Sequence, residues 1–182
     1  EAQVRAGDVV VEAKGTAYSL HTPWGTARLK LPVTGQFNVY NSLAAAAVCL
    51  GEGISLAAVR DGLEALQGVP GRFELIDVGQ PFAVIVDYAH TPDGLDNVLR
   101  TARAMTAGRV VVVFGAGGDR DRSKRPIMGE IAARLGDLVI ITSDNPRSED
   151  PEEICAEIAA GVRRATGSED YVVEPDRRTA IR

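Results

Sequence analysis

Three apolar runs in this chain each end on residues equipped to hold a ligand. Phe82 to Val86 leads into Asp87-Tyr-Ala-His90, Val110 to Phe114 into Gly115-Ala-Gly-Gly-Asp-Arg120, and Leu138 to Thr142 into Asp144-Asn-Pro-Arg147. Carboxylates accept hydroxyl or amine hydrogens, glycines admit close backbone approach, and a planar guanidinium grips a carboxylate or phosphate through two parallel bonds. In open parallel sheets ligands bind beyond the carboxyl ends of the strands. One carboxylate at a strand exit has an ordinary use, capping the next helix, but three polar exits together favour a ligand site. In the basic run Arg120, Arg122, Lys124 and Arg125, the middle pair Arg122 and Lys124 reads as a solvated face; Arg120, beside the glycines, is the functional candidate. Asp119, Asp121 and Asp144 each stand near an arginine in sequence, so ion pairing is expected of them in preference to metal binding. Asn38 and Asn41 are a further candidate, because two residues three apart at a helix start face one side. Asn38 as a plain helix cap is an equal reading.

The exits need strands and helices to hold them. Val110 to Phe114 is rich in β-branched residues, as in a strand buried on both faces of a parallel sheet, and Leu138 to Thr142 is a second such run. Between them Pro126 suits a first helical position, with Ile127, Met128, Ile131 and Leu135 as the inward stripe of a right-handed crossover. Upstream, Thr91 and Pro92 open a helix whose core stripe is Leu95, Val98, Leu99, Ala102 and Met105. Downstream, Asp150 and Pro151 open another, with Ile154, Ile158 and Val162 inward and Gly167 at its end, before a short strand Tyr171 to Val173. Strands and helices thus alternate from about residue 70 onward, which predicts a doubly wound α/β domain. Before it, Val4 to Leu31 reads as short strands with a Pro23-Trp-Gly25 turn, Trp24 being a turn or packing residue. Helices follow at Ser42 to Leu50 and at Ser55 to Leu66, the latter with Leu56, Val59, Leu63 and Leu66 inward. Gly68-Val-Pro-Gly71 is the domain boundary.

Composition narrows the function. The 182 residues are 45% hydrophobic and 25% charged, enough for a real core, and a net charge of -5 with a pI near 5.1 argues against a nucleic-acid or anionic-membrane binder. Cys49 and Cys155 fall in separate predicted helices and read as reduced thiols; His21 and His90 make no familiar zinc spacing with them. No apolar run approaches the roughly 20 residues of a membrane span, and no secretory signal opens the sequence, so a cytoplasmic protein is expected. The start at Glu1 and the stop inside Arg177 to Arg182, which reads as an unfinished helix, suggest a piece of something longer. The oligomeric state is left open.

One rival reading is an NAD-binding Rossmann oxidoreductase domain, since strand, glycine cluster, helix, strand and Asp144 imitate a dinucleotide fingerprint. The third glycine position holds Arg120, however, charged residues separate the glycines from the helix, and Asp144 continues into Asn-Pro-Arg. A phosphate-binding GxxxxGK[ST] loop is absent from the sequence. A second rival is a non-catalytic module that binds amino acids or nucleotides.

Five motifs, GQFNVYN, VPGRFE, VDYAHTPD, FGAGGDRDRSKRPIMGEIA and SDNPRSEDP, together resemble the Mur ligases of peptidoglycan synthesis, specifically the MurE type. The resemblance covers Gly35 to the end, and five motifs in this order are highly specific. It implies an ATP-dependent amide ligase. In that family ATP phosphorylates the D-glutamate carboxylate of UDP-N-acetylmuramoyl-L-alanyl-D-glutamate, and the amine of meso-2,6-diaminopimelate attacks the acyl phosphate. Residues 1–69 then resemble the end of the central ATP-binding domain and residues 70–182 an incomplete Rossmann-like carboxyl-terminal domain.

Carried over by motif, Asn38 and Asn41 lie beside the adenine and Arg72 and Asp87 hold the ribose. Arg120 and Asp144, Asn145, Pro146 and Arg147 form the pocket for meso-diaminopimelate. The family's phosphate-binding loop, magnesium ligands, modified lysine and uridine-binding domain have no counterpart here, so no catalytic residue and no metal ligand is assigned within this sequence. Diaminopimelate differs from lysine by a far carboxylate, which the Arg147 fork suits. A lysine in that place would leave the guanidinium desolvated and unpaired, a loss of roughly 3 to 5 kcal/mol, or ~100-fold to ~1000-fold.

Overall fold

The computed structural model describes residues 2–12 and 15–182, which form two compact units, one ending at Tyr88 and the other running from Ala89 to Arg182. Among the described residues no helix is long and apolar enough to cross a membrane.

The first unit opens with an antiparallel sheet of β1 (Arg5–Glu12), β2 (Gly15–Thr22) and β3 (Gly25–Leu31), in that order. Alternation decides which face is buried: Tyr18 and Leu20 on β2 and Leu29 and Leu31 on β3 are almost wholly covered, while the residues between them are wetter. The covering helices are α1 (Gln36–Gly51) and α2 (Leu56–Glu64). Val39, Ser42, Ala46 and Leu50 are the buried positions of α1, and the Tyr18 hydroxyl meets the Ser42 hydroxyl at 2.7 Å inside the core. Helix α1 begins six residues before the predicted Ser42, which places both asparagines in its first turns. The predicted inward face of α2 is only partly met. Val59 is buried and Leu56 and Leu63 pack against the core, but Leu66 lies beyond the helix end and is 40% exposed. Trp24 sits in the turn between β2 and β3, exposed to solvent.

A two-stranded antiparallel hairpin, β4 (Glu74–Ile76) and β5 (Val84–Val86), completes this unit. Phe73, just before it, packs edge-on against Phe37 of α1 with ring centroids 5.9 Å apart. The unit thus extends past the Gly68–Gly71 turn. The three exits predicted at one edge do not belong to one sheet, because β5 pairs with β4 across the Gly79 turn in a two-stranded sheet of its own.

The second unit holds a parallel sheet in the order β6 (Val111–Phe114), β7 (Leu138–Ile141), β8 (Tyr171–Val173), crossed by α4 (Lys124–Leu135) and α5 (Pro151–Thr166). Helix α3 (Pro92–Ala104) precedes the sheet and α6 (Arg177–Ile181) follows it. Local signals place α3 and α5 as expected: Thr91 caps α3 with Pro92 behind it, Asp150 caps α5 with Pro151 behind it, and Gly167 ends α5 in the left-handed region. Leu95 and Leu99 of α3 and Ile154, Ile158 and Val162 of α5 enter the core.

Strand β6 departs from expectation. Val112 and Phe114 are buried, but Val111 on the opposite face is 47% exposed, so the strand is covered on one side. Helix α4 departs more sharply. It starts at Lys124, two residues before Pro126, and its buried positions are Arg125, Met128, Gly129 and Ala132; the predicted stripe residue Ile127 is 45% exposed. Close helix packing explains the rotation. A Cβ on Gly129 would stand 2.2 Å from the Ile158 carbonyl oxygen, and one on Gly161 only 1.9 Å from that of Pro126, so α4 and α5 meet backbone to backbone.

Candidate functional site

The parallel register sets Phe114 beside Ile141, so the chain leaves β6 and β7 at the same level and the two exit loops run side by side. They are fastened along their length. Thr142 N–H donates to Phe114 O at 2.9 Å and Gly118 N–H to Asn145 O at 2.8 Å. The glycines make this possible: a Cβ on Gly115 would lie 2.1 Å from Thr142 O and one on Gly118 1.9 Å from Pro146 O. The close approach that the glycine cluster permits is therefore an approach of one loop to the other. A dinucleotide pyrophosphate would need the space that the Pro146 backbone fills, which removes the main support for the oxidoreductase reading.

Further links tie the loops at their outer ends. The Asp119 carboxylate accepts from Ser148 Oγ at 2.7 Å and from Ser148 N–H at 3.3 Å. Asp121 accepts from Ser123 N–H at 2.9 Å and Ser123 Oγ at 2.6 Å, which holds its carboxyl below the usual range. Among the described residues, hydrogen bonds to serines take the place of the ion pairs expected at Asp119 and Asp121, from Ser148 across the loop junction and from Ser123 two residues along the chain. Asp119 and Arg147 both adopt left-handed backbone, with φ of 51° and 52°.

The proposed acceptor residues fall on this junction. Arg147 is exposed, and its Nη1 donates to Gly118 O at 2.7 Å, which pins one side of the guanidinium and leaves its other N–H groups directed elsewhere. Asp144 and Asn145 are exposed and Pro146 is half-buried. Arg120 is exposed and donates to the carbonyl of its own neighbour, Asp119, at 3.1 Å. The structure brings Asn145, Pro146 and Arg147 against Gly117 to Asp119; Arg120 follows directly on the same loop.

Sequence reasoning missed the centre of this assembly. Arg125 is fully buried and forks onto Glu149, Nη1 to Oε2 and Nη2 to Oε1 at 2.8 Å each. Its Nη1 also reaches Glu157 at 2.9 Å, and Nη2 the Gly117 carbonyl at 3.3 Å. Glu149 in turn accepts the Asp119 N–H at 2.6 Å. The bond from Arg125, then that from the Asp119 amide, holds the Glu149 carboxyl down to about 2. Arg122 bonds Glu157, which is held below the usual range by Arg122 first and by Arg125 as well. Arg122 and Lys124, expected to be a solvated face, are both engaged: Arg122 with Glu157, and Lys124 through Nζ with the His90 carbonyl at 2.8 Å. One signal for Arg125 was present in the sequence. It lies three, four and seven residues before Met128, Gly129 and Ala132, on a face that is otherwise apolar or without a side chain.

The other candidates belong to the first unit. Asn38 Nδ2 donates to Thr34 O at 2.9 Å, and Asn41 Nδ2 to Asn38 Oδ1 at 3.2 Å, so the pair does share one face of α1. The residue at the cap position is Gly35, without a side-chain bond, so Asn38 is not the N-cap. The Arg72 guanidinium lies 4.8 Å from the ring centre of Tyr88, and the Asp87 carboxylate accepts from Phe73 N–H at 2.7 Å. Among the described residues no three His, Cys, Asp or Glu side chains converge as a metal site, and both cysteines are free thiols.

The chain is similar to known proteins. The family model described as "Mur ligase, glutamate ligase domain" matches residues 71–182, and "Mur ligase middle domain" matches residues 1–49. The UDP-N-acetylmuramoyl-L-alanyl-D-glutamate--2,6-diaminopimelate ligase of Syntrophomonas wolfei is 50% identical over 178 residues, 98% of this chain and 36% of that protein. Its namesake in Geobacillus kaustophilus is 50% identical over 182 residues, 100% of this chain and 37% of that protein. Among solved structures, a ligase of the same name is similar with a TM-score of 0.62 at 39% identity, over 99% of this chain and 36% of that one. A Mycobacterium tuberculosis folylpolyglutamate synthase complexed with ADP is similar with a TM-score of 0.80 at 26% identity, over 100% of this chain and 40% of that one. The chain spans 36–37% of the length of the Syntrophomonas and Geobacillus relatives.

Proposed function

The chain belongs to the Mur ligase family, and on that premise we propose that it is part of an ATP-dependent ligase joining meso-2,6-diaminopimelate to UDP-N-acetylmuramoyl-L-alanyl-D-glutamate in peptidoglycan synthesis. The name shared by relatives about 50% identical supports this reading. ATP transfers its terminal phosphoryl group to the D-glutamate carboxylate, the amine of the diamino acid attacks the resulting acyl phosphate, and phosphate leaves as the amide forms. Residues 1–69 belong to the central ATP-binding domain and residues 70–182 to the carboxyl-terminal domain.

The single observation that carries the acceptor assignment is Arg147, an exposed guanidinium fixed on one side by the Gly118 carbonyl at 2.7 Å. A fork held in this way is oriented before the ligand arrives, as selective recognition of the far carboxylate requires. Arg120, Asp144, Asn145 and Pro146 complete that pocket. Asp144 suits the far ammonium group by charge, and Asn145 can serve either end of the amino acid.

Asn38 and Asn41 form the adenine side and Arg72 and Asp87 the ribose side of the ATP site. The chemistry of this set fits a nucleoside: carboxamides match a base edge and a carboxylate matches ribose hydroxyls. It does not fit a divalent cation, so none of these four residues is assigned to magnesium. The cytoplasm is the proposed place of this reaction.

The test uses the full-length ligase. Arg147→Lys keeps the charge but loses the fork, and should raise KM for meso-diaminopimelate by about 100-fold while leaving KM for ATP nearly unchanged. Asp87→Ala should do the reverse. Equal effects of either change on both substrates would overturn the assignment. Residues 1–182 alone should show no ligation and bind ATP no better than millimolar, because their sequence has no phosphate-binding GxxxxGK[ST] loop to hold the triphosphate.

A further inference from the structure

Arg125 has no place in the chemistry just described, yet it is the largest fully buried side chain among the described residues. Stability alone does not call for a guanidinium there. A buried ion pair is often no more stabilising than apolar residues of similar volume, and Arg125 even leaves its Nε buried without a partner among the described residues. What an apolar side chain could not supply is the geometry of the bonds. The fork fixes both oxygens of Glu149, and Oε1 of that carboxylate is also the acceptor for the Asp119 N–H at 2.6 Å. Through Gly117 O the same guanidinium holds the first loop directly. Glu149 N–H donates to Pro146 O at 3.0 Å, so the clamped residue also fixes the turn that carries Arg147.

We infer that Arg125 is a positioning residue for acceptor selection, which sets the spacing of the two exit loops through Glu149 and thereby aims the guanidinium of Arg147. The inference rests on the acceptor reading of Arg147 above. The path is short and continuous: Arg125 to Glu149, Glu149 to the left-handed Asp119 backbone, and the adjoining Gly118 carbonyl to Arg147 Nη1. Each link is a hydrogen bond to a charged group or a backbone group, with a preferred direction as well as a preferred distance. A lysine at position 125 would retain the charge but could satisfy the two oxygens of Glu149 only in turn, and the loops would lose their fixed register.

The experiment is steady-state kinetics on the full-length ligase with Arg125→Lys and, separately, Glu149→Gln, each with meso-diaminopimelate and with lysine as acceptor. The expected result is a rise in KM for meso-diaminopimelate of about 10-fold, with KM for ATP within about 2-fold and the preference for meso-diaminopimelate over lysine reduced by about 10-fold. Selectivity is the informative readout, because a purely structural loss lowers the amount of active enzyme without changing the ratio between two acceptors. Should Arg125→Lys fail to fold, Glu149→Gln, which keeps size and shape on a loop, carries the same expectation. Unchanged selectivity in the folded variants would overturn the inference while leaving the function intact. A wild-type ligase that does not use meso-diaminopimelate would instead overturn the functional reading beneath it.

Discussion

The residues proposed for the nucleotide and those proposed for the acceptor are held by opposite means. Asn38 and Asn41 stand on one face of α1 and are bonded to one another and to Thr34. Arg147 stands on a loop that is bonded to its neighbour at Gly118, Asp119 and Ser148 and is anchored from below by a buried arginine. A helix aims its side chains through its own periodicity, so two residues on one face need little else. A loop has no such internal ruler and takes its aim from cross-links. The comparison teaches that mutations far from the ligand should be tolerated near the asparagines and costly near the arginines.

Gly118→Ala is the severest way to break that comparison. Its Cβ would stand 1.9 Å from the Pro146 carbonyl oxygen, so the loops must part. A loss of about 3 kcal/mol is expected in urea unfolding monitored in the second unit, at the upper end of overpacking costs. Asn41→Ala, on an exposed helix surface, should stay within about 0.5 kcal/mol. Similar costs for the two would show that the contrast is false.

Acid titration sharpens the same contrast. The Glu149 carboxyl moves from an ordinary 4.5 to about 2 on folding, chiefly through Arg125. A carboxyl depressed by folding contributes stability that is fully present above its unfolded value and lost as pH falls through the folded one. The second unit should therefore weaken progressively between pH 4.5 and 2, the unfolded and folded values of Glu149, and Arg125→Lys should flatten that slope. A urea midpoint that is flat over this window in the unchanged protein would mean that the clamp is not formed in solution.

A further effect has the opposite sign. Gly62 lies on the exposed face of α2, and a Cβ added there would meet nothing within 4 Å, so Gly62→Ala should stabilise the first unit by about 1 kcal/mol in the same unfolding assay. Destabilisation there would show that this unit, too, is closely packed at its surface.

What could be read from the sequence was local. Thr91 with Pro92, Asp150 with Pro151, and Gly167 specify helix ends within a few residues, and the β-branched runs at Val110 and Leu138 specify two strands. The shared face of Asn38 and Asn41 followed from spacing alone. Arg125 was read as part of a basic run because its partners lie 24 and 32 residues away, at Glu149 and Glu157. The pairing of β5 was hidden for a similar reason: an apolar run states that it will be a strand, not which strand it will join. The rotation of α4 depended on Gly129 and Gly161, whose close contact is visible only once both helices are placed. The roles proposed for four residues toward the nucleotide and five toward the acceptor came from family resemblance, since no spacing rule distinguishes adenine from any other polar ligand.

The ion-pair cluster around the buried Arg125 also has an electrical consequence. Arg122, Glu157, Arg125 and Glu149 alternate in sign along their contacts, and two arginines and two glutamates sum to zero. Such a group produces a field that dies away quickly with distance, faster than the screening length of roughly 8 Å at physiological salt would impose on a single charge. Arg147 and Arg120, with the exposed carboxylates of Asp119 and Asp144 beside them, are therefore the charges that an incoming group meets at the loop junction. Salt should weaken the first attraction of a carboxylate to this surface while leaving the loops that present it in place.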